Sequence, residues 1–328
     1  MNDFLVEKIA DKLPGVTIEE WQECNEWNKK ITKEFLEQGH LSPKTLEQYD
    51  SALKIFFRWV KDNAENKPLI ELKPRDALRY QNFLINRGLS SSAVKFKRSS
   101  VSSLCGYVEL YYCEEFPLFR NIYNKKIPNP AKAFLHEKIP LTTEEYELLI
   151  KTLKEKNKWQ QVAYLEFSYA SGCRRAEARL LLKDTINNDK VEGKNYYLTS
   201  LIRCKGKGRE GKIRKLQYDD RALEAIKFWL SIRGEDDCSY VFVTKNNNGE
   251  YQRVTETTFN KWCSGIFTKI VGRRVHPHLL RETRATDIVV GQGKDIKTAQ
   301  ALLGHLSPET TQIYVIRDSS NDLDDAFE

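Results

Sequence analysis

Three prolines stand within fourteen residues, at Pro117, Pro128 and Pro130. A proline ring fixes φ and removes a backbone N–H, so no helix can run through such a stretch. Both flanks carry helical periodicity. The chain is therefore expected to fold as two halves joined by an extended linker over residues 114–138, which also holds Lys125, Lys126 and Lys132. A length of 328 residues fits two domains. The expected divisions are an N-terminal extension at 1–16, a helical domain at 17–113, the linker, a second domain at 139–317 and a tail at 318–328. That tail is acidic, with Asp318, Asp322, Asp324, Asp325 and Glu328.

The first half reads as four helices. Between Thr17 and about Gly39 one helical pattern offers Trp21, Trp27, Ile31 and Phe35 to a single face. Ser42-Pro43 resembles an N-cap followed by proline at the first helical position. Leu46, Tyr49, Leu53, Phe56, Trp59 and Val60 then recur at spacings of mostly three and four, one apolar stripe. Pro74 opens a third helix and Asn86-Arg87-Gly88 closes it; a fourth runs from about Ser91 to Tyr112. Four helices with short links make a bundle.

The second half mixes elements. Thr142 or Thr143 caps a helix reaching Leu153, and a helical stretch over 159–183 is interrupted at Ser171-Gly172. Residues 195–218 alternate as strands do around a Gly/Lys-rich turn, and helices return at 220–232, 255–271, 279–291 and 295–304. The expectation is a mainly α chain with a small β-sheet, the second half being α+β.

Composition narrows the class of protein. No apolar run has the length of a membrane span, and the N-terminus lacks the layout of a signal peptide, so no membrane partner is expected. Seven cysteines are scattered without CxxC pairs, which reads as reduced thiols in a cytoplasmic protein rather than disulfides or zinc ligands. A formal charge of +7 permits a nucleic-acid partner without requiring one.

Several residues can carry chemistry. Tyr314 has a phenol that is a weak nucleophile until a base or cations favour the phenolate. Taken alone, one of 15 tyrosines is usually packing. His278-Leu279-Leu280-Arg281 puts an imidazole and a guanidinium on one helical face, where the planar fork suits a phosphate. A solitary pair of this kind is commonly surface decoration. Arg174 follows Gly172, where a helix starts or breaks, a place suited to anions, although Arg174, Arg175 and Arg179 also fit a solvated face. Lys205-Gly206-Lys207-Gly208-Arg209 could cradle a phosphate or be a flexible hairpin tip. It is not a P-loop, since no Gly-Lys-Ser/Thr precedes a helix.

These words occur in one order: Arg174 within Gly172-Cys173-Arg174-Arg175-Ala176-Glu177, the lysine hairpin, His278-x-x-Arg281, Leu303-Gly304-His305, then Thr311-Gln312-Ile313-Tyr314. The ordered set resembles the active site of the tyrosine recombinases, the phage integrase family, over roughly 139–317. The helical half, with Gly88 to Val94 opening its last helix, resembles the family's SAM-like core-binding domain. The layout is closest to the simple two-domain Xer- and Cre-like recombinases. Glu282 departs from the pattern, since many members carry a second histidine there; packing or an ion pair with Arg284 are its two readings. Cys173 replaces a usual aliphatic residue.

The resemblance implies a site-specific DNA recombinase acting through a covalent 3′-phosphotyrosine on Tyr314. Arg174 and Arg281 would stabilise the transition state, and Lys207, with Lys205 as the other choice, would protonate the leaving 5′ oxygen. His278 would assist proton transfer, His305 would hold the phosphate, and Glu177 would orient Arg174. No metal and no cofactor are implied. The partner would be double-stranded DNA with a specific recombination site, bound by a homotetramer that is a monomer or dimer without DNA. DNA contacts are expected from Ser91, Ser92, Lys95, Lys97 and Arg98 on one helix, and from Lys205, Arg209, Arg273 and Arg274. A type IB topoisomerase-like nicking-closing enzyme, or a DNA-binding accessory protein derived from a recombinase, are the competing readings.

Overall fold

A computed structural model of the chain describes residues 14–39, 41–123, 127–130, 139–204, 212–305 and 311–312. They form two compact units, one within residues 14–130 and the other within 139–312.

The first unit contains α1 (Ile18–Gln22), α2 (Glu26–Leu36), α3 (Pro43–Asn63), α4 (Pro74–Asn86) and α5 (Ser91–Tyr111). The single helix expected over 17–39 is two. Asn25 interrupts it because its side chain accepts the N–H groups of Trp27 and Asn28 and so starts α2. Ser42 and Ser90 cap α3 and α5 in the same way. The core joins Phe56, Phe57, Trp59, Tyr80, Val94, Val101 and Leu104 from α3, α4 and α5.

Two expectations change here. Among the described residues of the stretch expected as an extended linker there is no helix, but those residues are packed: Phe119, Ile122 and Ile127 enter the core of this unit. Arg98, expected to touch DNA, holds that segment in place. It is 9% exposed, donates to the carbonyls of Pro128 (2.8 Å) and Ile127 (3.2 Å), and lies over the Tyr123 ring. Its spacing explains this. Val94, Arg98, Val101 and Cys105 follow one helical stripe, so Arg98 occupies a core position of α5. Ser92 and Lys95 are exposed on the other side, while Ser91 and Lys97 are half-buried.

The second unit is built on α7 (Trp159–Ser171), which packs against α6 (Thr143–Glu155), α9 (Asp220–Arg233) and α12 (Pro277–Thr286). Thr142, rather than Thr143, caps α6, and Glu145 returns the bond to the Thr142 N–H. After α7 comes one turn of helix, α8 (Arg175–Ala178). Strands β1 (Tyr197–Leu198) and β2 (Ile202–Cys204) go out, and β3 (Lys212–Arg214) and β4 (Gln217–Tyr218) return. They pair antiparallel, β1 with β4 and β2 with β3, with Ile202 opposite Arg214 and Cys204 opposite Lys212. A second hairpin, β5 (Val243–Lys245) with β6 (Tyr251–Arg253), is not signalled by strand alternation in the sequence. The expected helix at 255–271 is α10 (Glu256–Trp262), a π turn over Cys263–Phe267, and α11 (Thr268–Val271). A π turn over Asp287–Gly291 likewise extends α12, and α13 (Ile296–Leu303) follows.

Arg273, also expected at the DNA, has partners within the protein. Its guanidinium bonds both carboxylate oxygens of Glu145 and the carbonyls of Ile139 and Pro140, tying the start of this unit to α6. Four of its donors are thus engaged within the protein, so it acts as a strut there. Arg274 is exposed. Among the described residues, no helix is long and apolar enough to cross a membrane.

The Arg98 assignment is testable by thermal melting. Arg98→Ala strands two carbonyls in a packed region and should cost about 1–3 kcal/mol. Lys95→Ala, on the exposed side of α5, should leave the melting temperature unchanged.

Candidate active site

Two helix ends make the frame of the site. Gly172 closes α7 in the left-handed region at φ 57°, and Gly304 closes α13 at φ 65°. Each glycine also leaves needed space. A Cβ on Gly172 would lie 2.6 Å from Leu303 Cδ2, and one on Gly304 would lie 2.6 Å from Arg214 Nη1. At α13 the Gly304 N–H bonds the Ala301 carbonyl and the His305 N–H bonds that of Gln300, a Schellman closure. That closure aims His305 back across the helix end. The expectation for Gly172 changes accordingly: it ends a helix, and its carbonyl receives a cation.

That cation is Arg281, which is fully buried on α12. One Nη bonds the Gly172 carbonyl. The other donates to the Leu303 carbonyl at 2.8 Å and meets His305 Nε2 at 2.7 Å. Arginine has no acceptor, so Nε2 must accept, and the ring proton is assigned to Nδ1, which faces Thr311 Oγ1 at 3.0 Å. His276 caps α12, its Nδ1 accepting from the Leu279 N–H, with Pro277 in the first position. His278, one turn before Arg281, stands exposed at the rim.

Arg174 precedes α8. Its backbone N–H and its Nη1 both reach the carboxylate of Glu177, each at 3.0 Å. Glu177 is fully buried and also takes Arg214 Nη2 at 3.3 Å. Burial alone would raise this carboxyl. The Arg174 backbone bond and the charges of Arg214 and Arg174 outweigh it and hold the group below the ordinary carboxylate range.

Both histidines are pushed toward the neutral form. His305 falls to about 4, first through burial, then through the cations of Arg281, Arg174 and Arg214, against a small opposing effect of Glu177. His278 is also lowered, first by partial desolvation; Glu282 opposes this, while Arg281, His276 and Arg174 add to it. At neutral pH both rings are thus held in the neutral form. The fixed charges around His305 are three guanidiniums against one carboxylate, so the cluster keeps net positive charge.

Five of the expected residues therefore gather: Arg174, Glu177, His278, Arg281 and His305. Lys205, Lys207, Arg209 and Tyr314 lie outside the described residues. Glu282 is buried, and Arg284 pairs with Asp287 rather than answering it. Arg214 and Thr311 were not anticipated. Strand alternation points to Ile213 as the inward residue, yet Ile213 is 65% exposed and Arg214 turns to the site.

The comparisons with known proteins agree with this geometry. The profile of the phage integrase family matches residues 140–320. This chain belongs to the phage integrase family. The SPbeta prophage-derived recombinase-like protein YomM of Bacillus subtilis is 33% identical over 97% of the chain and 96% of its own length. Tyrosine recombinase XerC of Psychromonas ingrahamii is 29% identical over 84% of the chain and 87% of its own. The same fold recurs in the Tn1549 transposon integrase in complex with a circular intermediate DNA (TM-score 0.69, 14% identity, 92% of this chain and 98% of that one). It recurs in XerH bound to difH (TM-score 0.64, 17% identity, 97% of each). Family membership makes this a tyrosine recombinase, mainly α with small strand pairs.

The His305 environment predicts a pH effect on stability. A histidine at about 4 when folded and 6.5 ordinarily binds its proton more tightly when unfolded. Stability should be complete above the ordinary value and fall as pH drops through the window toward about 4. Melting curves across this range should show a weaker pH dependence in His305→Gln than in the parent.

Proposed function

We propose that this chain is a site-specific DNA recombinase that cleaves and rejoins double-stranded DNA through a 3′-phosphotyrosine at Tyr314. The observation that carries the reading is the convergence of Arg174, Arg281 and His305 at two helix ends, with net positive charge kept. The solved relatives named as DNA complexes support DNA as the partner.

The phenol oxygen of Tyr314 attacks the scissile phosphorus, and the 5′ oxygen leaves. Arg174 and Arg281 donate to the nonbridging oxygens as charge gathers on them, stabilisation that preorganised donors provide without reorientation. His278, neutral and at the rim, takes the phenol proton. Lys207, with Lys205 as the second candidate, protonates the leaving oxygen. Glu177 holds Arg174 in place. His305 needs a rearrangement, because its Nε2 now accepts from Arg281. A phosphate that takes the Arg281 donor frees that nitrogen, and the anion's charge favours a proton on it. The phosphotyrosine bond conserves the energy of the phosphodiester, so a partner strand's 5′-hydroxyl can reverse the attack. No metal or nucleotide enters these steps.

Strand exchange requires two DNA sites and, in this reading, a homotetramer assembled from monomers or dimers in the cytoplasm. Integration, excision and resolution of joined replicons share this chemistry. Ser91, Ser92, Lys95, Lys97 and Arg274 remain proposed DNA contacts, together with Lys205 and Arg209.

A DNA substrate nicked beside the cleavage site should trap a covalent adduct with the parent and none with Tyr314→Phe, while both bind DNA. Exchange between two sites separates the recombinase from a nicking-closing enzyme. Arg281→Ala should slow adduct formation roughly 100- to 1,000-fold. A 5′-bridging phosphorothiolate, whose sulfur leaves without a proton, should rescue Lys207→Ala; absence of rescue would assign the acid elsewhere.

A further inference from the structure

A third guanidinium stands beside the candidate catalytic side chains. Arg214, on β3, donates from Nη1 to the Leu302 carbonyl at 2.8 Å and from Nη2 to Glu177 at 3.3 Å. These partners lie 88 and 37 residues away in the chain. We propose that Arg214 is a positioning residue for DNA cleavage, locking the Arg174–Glu177 pair and the Gly304–His305 turn into one rigid unit. The inference rests on the recombinase reading above.

The contacts argue for this role. The last carbonyls of a helix have no partner within it. In α13, Leu302 is bonded by Arg214 and Leu303 by Arg281, so two cations from separate elements close the same helix end. The Arg214 guanidinium also covers Gly304, where a Cβ would lie 2.6 Å from Nη1 and 3.0 Å from Cζ. On its other side Arg214 shares the carboxylate that orients Arg174. The planar fork holds its two Nη groups in a fixed geometry toward the two acceptors, which a single ammonium nitrogen does not reproduce. Without Arg214, Glu177 keeps only Arg174 as a cationic partner among the described residues, and the turn carrying His305 loses its Arg214 link to β3. Arg174 and His305 would then be coupled through Arg281 alone, at the Gly172 and Leu303 carbonyls, and their relative placement would loosen.

The test uses the full chain and the nicked substrate, with protein in excess. In Arg214→Ala the single-turnover rate constant for adduct formation should fall roughly 10- to 100-fold, the size of effect expected when catalytic groups are misplaced slightly. The adduct yield and the DNA affinity should stay near those of the parent. Arg214→Lys should restore only a small part of the rate. A merely structural role would instead reduce the yield, leaving the rate constant of the folded fraction unchanged. A second readout needs no cleavage. NMR titration of 13C-labelled histidine follows His305, which faces Arg281 on α12, Arg174 and Glu177 at α8, and Arg214 on β3. Its midpoint should rise in Arg214→Ala as one cation is lost. Unchanged rate constants in both variants, or losses confined to yield or affinity, overturn the proposal. If the parent itself forms no adduct, the recombinase reading fails; the His305 midpoint still decides whether Arg214 is coupled to the turn, a rise supporting it and no shift refuting it.

Discussion

Arg281 carries a full positive charge in a place closed to solvent, and the carbonyls of Gly172 and Leu303 and the ring of His305 receive its donors there. Burying an ion is costly unless its donors are satisfied. Here the satisfaction comes from the ends of α7 and α13, where backbone carbonyls lack helical partners and the helix dipole is negative. Each side supplies what the other lacks. The helix ends gain donors, and the guanidinium gains acceptors. Three segments far apart in sequence are fixed at one point, and the Arg174 loop and His305 both leave from it.

Much of the local geometry follows from that point. Gly172 and Gly304 are needed for their left-handed φ and because Leu303 and Arg214 fill the space a Cβ would take. His305 is aimed by the Schellman closure of α13 and is kept neutral by burial and three cations. Glu177, the one carboxylate among them, is shared by Arg174 and Arg214, so it orients two arginines while cancelling a single charge. Such a cluster suits an anionic substrate. Its cations are preorganised, and its imidazoles are held neutral.

Helix starts were legible in the sequence because their signals are local. Ser42-Pro43, Ser90 and Thr142 act through bonds to residues three positions on, and the apolar stripes of α3 and α5 follow the helical repeat. The order of the reactive residues was legible too, as a resemblance. Where the reading went wrong, the deciding partner was distant. Arg98 looked like a solvent-facing cation among serines, and the carbonyls that claim it belong to the proline-rich segment some thirty residues on. Arg273 meets Glu145 across 128 residues. Arg214 was hidden by its polarity: it shares a face with buried Ile202, while apolar Ile213 shares the exposed face with Arg203.

The amino-acid sequence by itself determined where most helices begin and which side chains are available for phosphate chemistry, because propensity, capping and proline act within a few residues. Only the tertiary structure decided which arginines face the site and which serve as struts. Every arginine has the same charge and the same fork. What separates Arg174, Arg214 and Arg281 from Arg98 and Arg273 is the set of carbonyls and carboxylates that folding brings to each, and no local pattern encodes that.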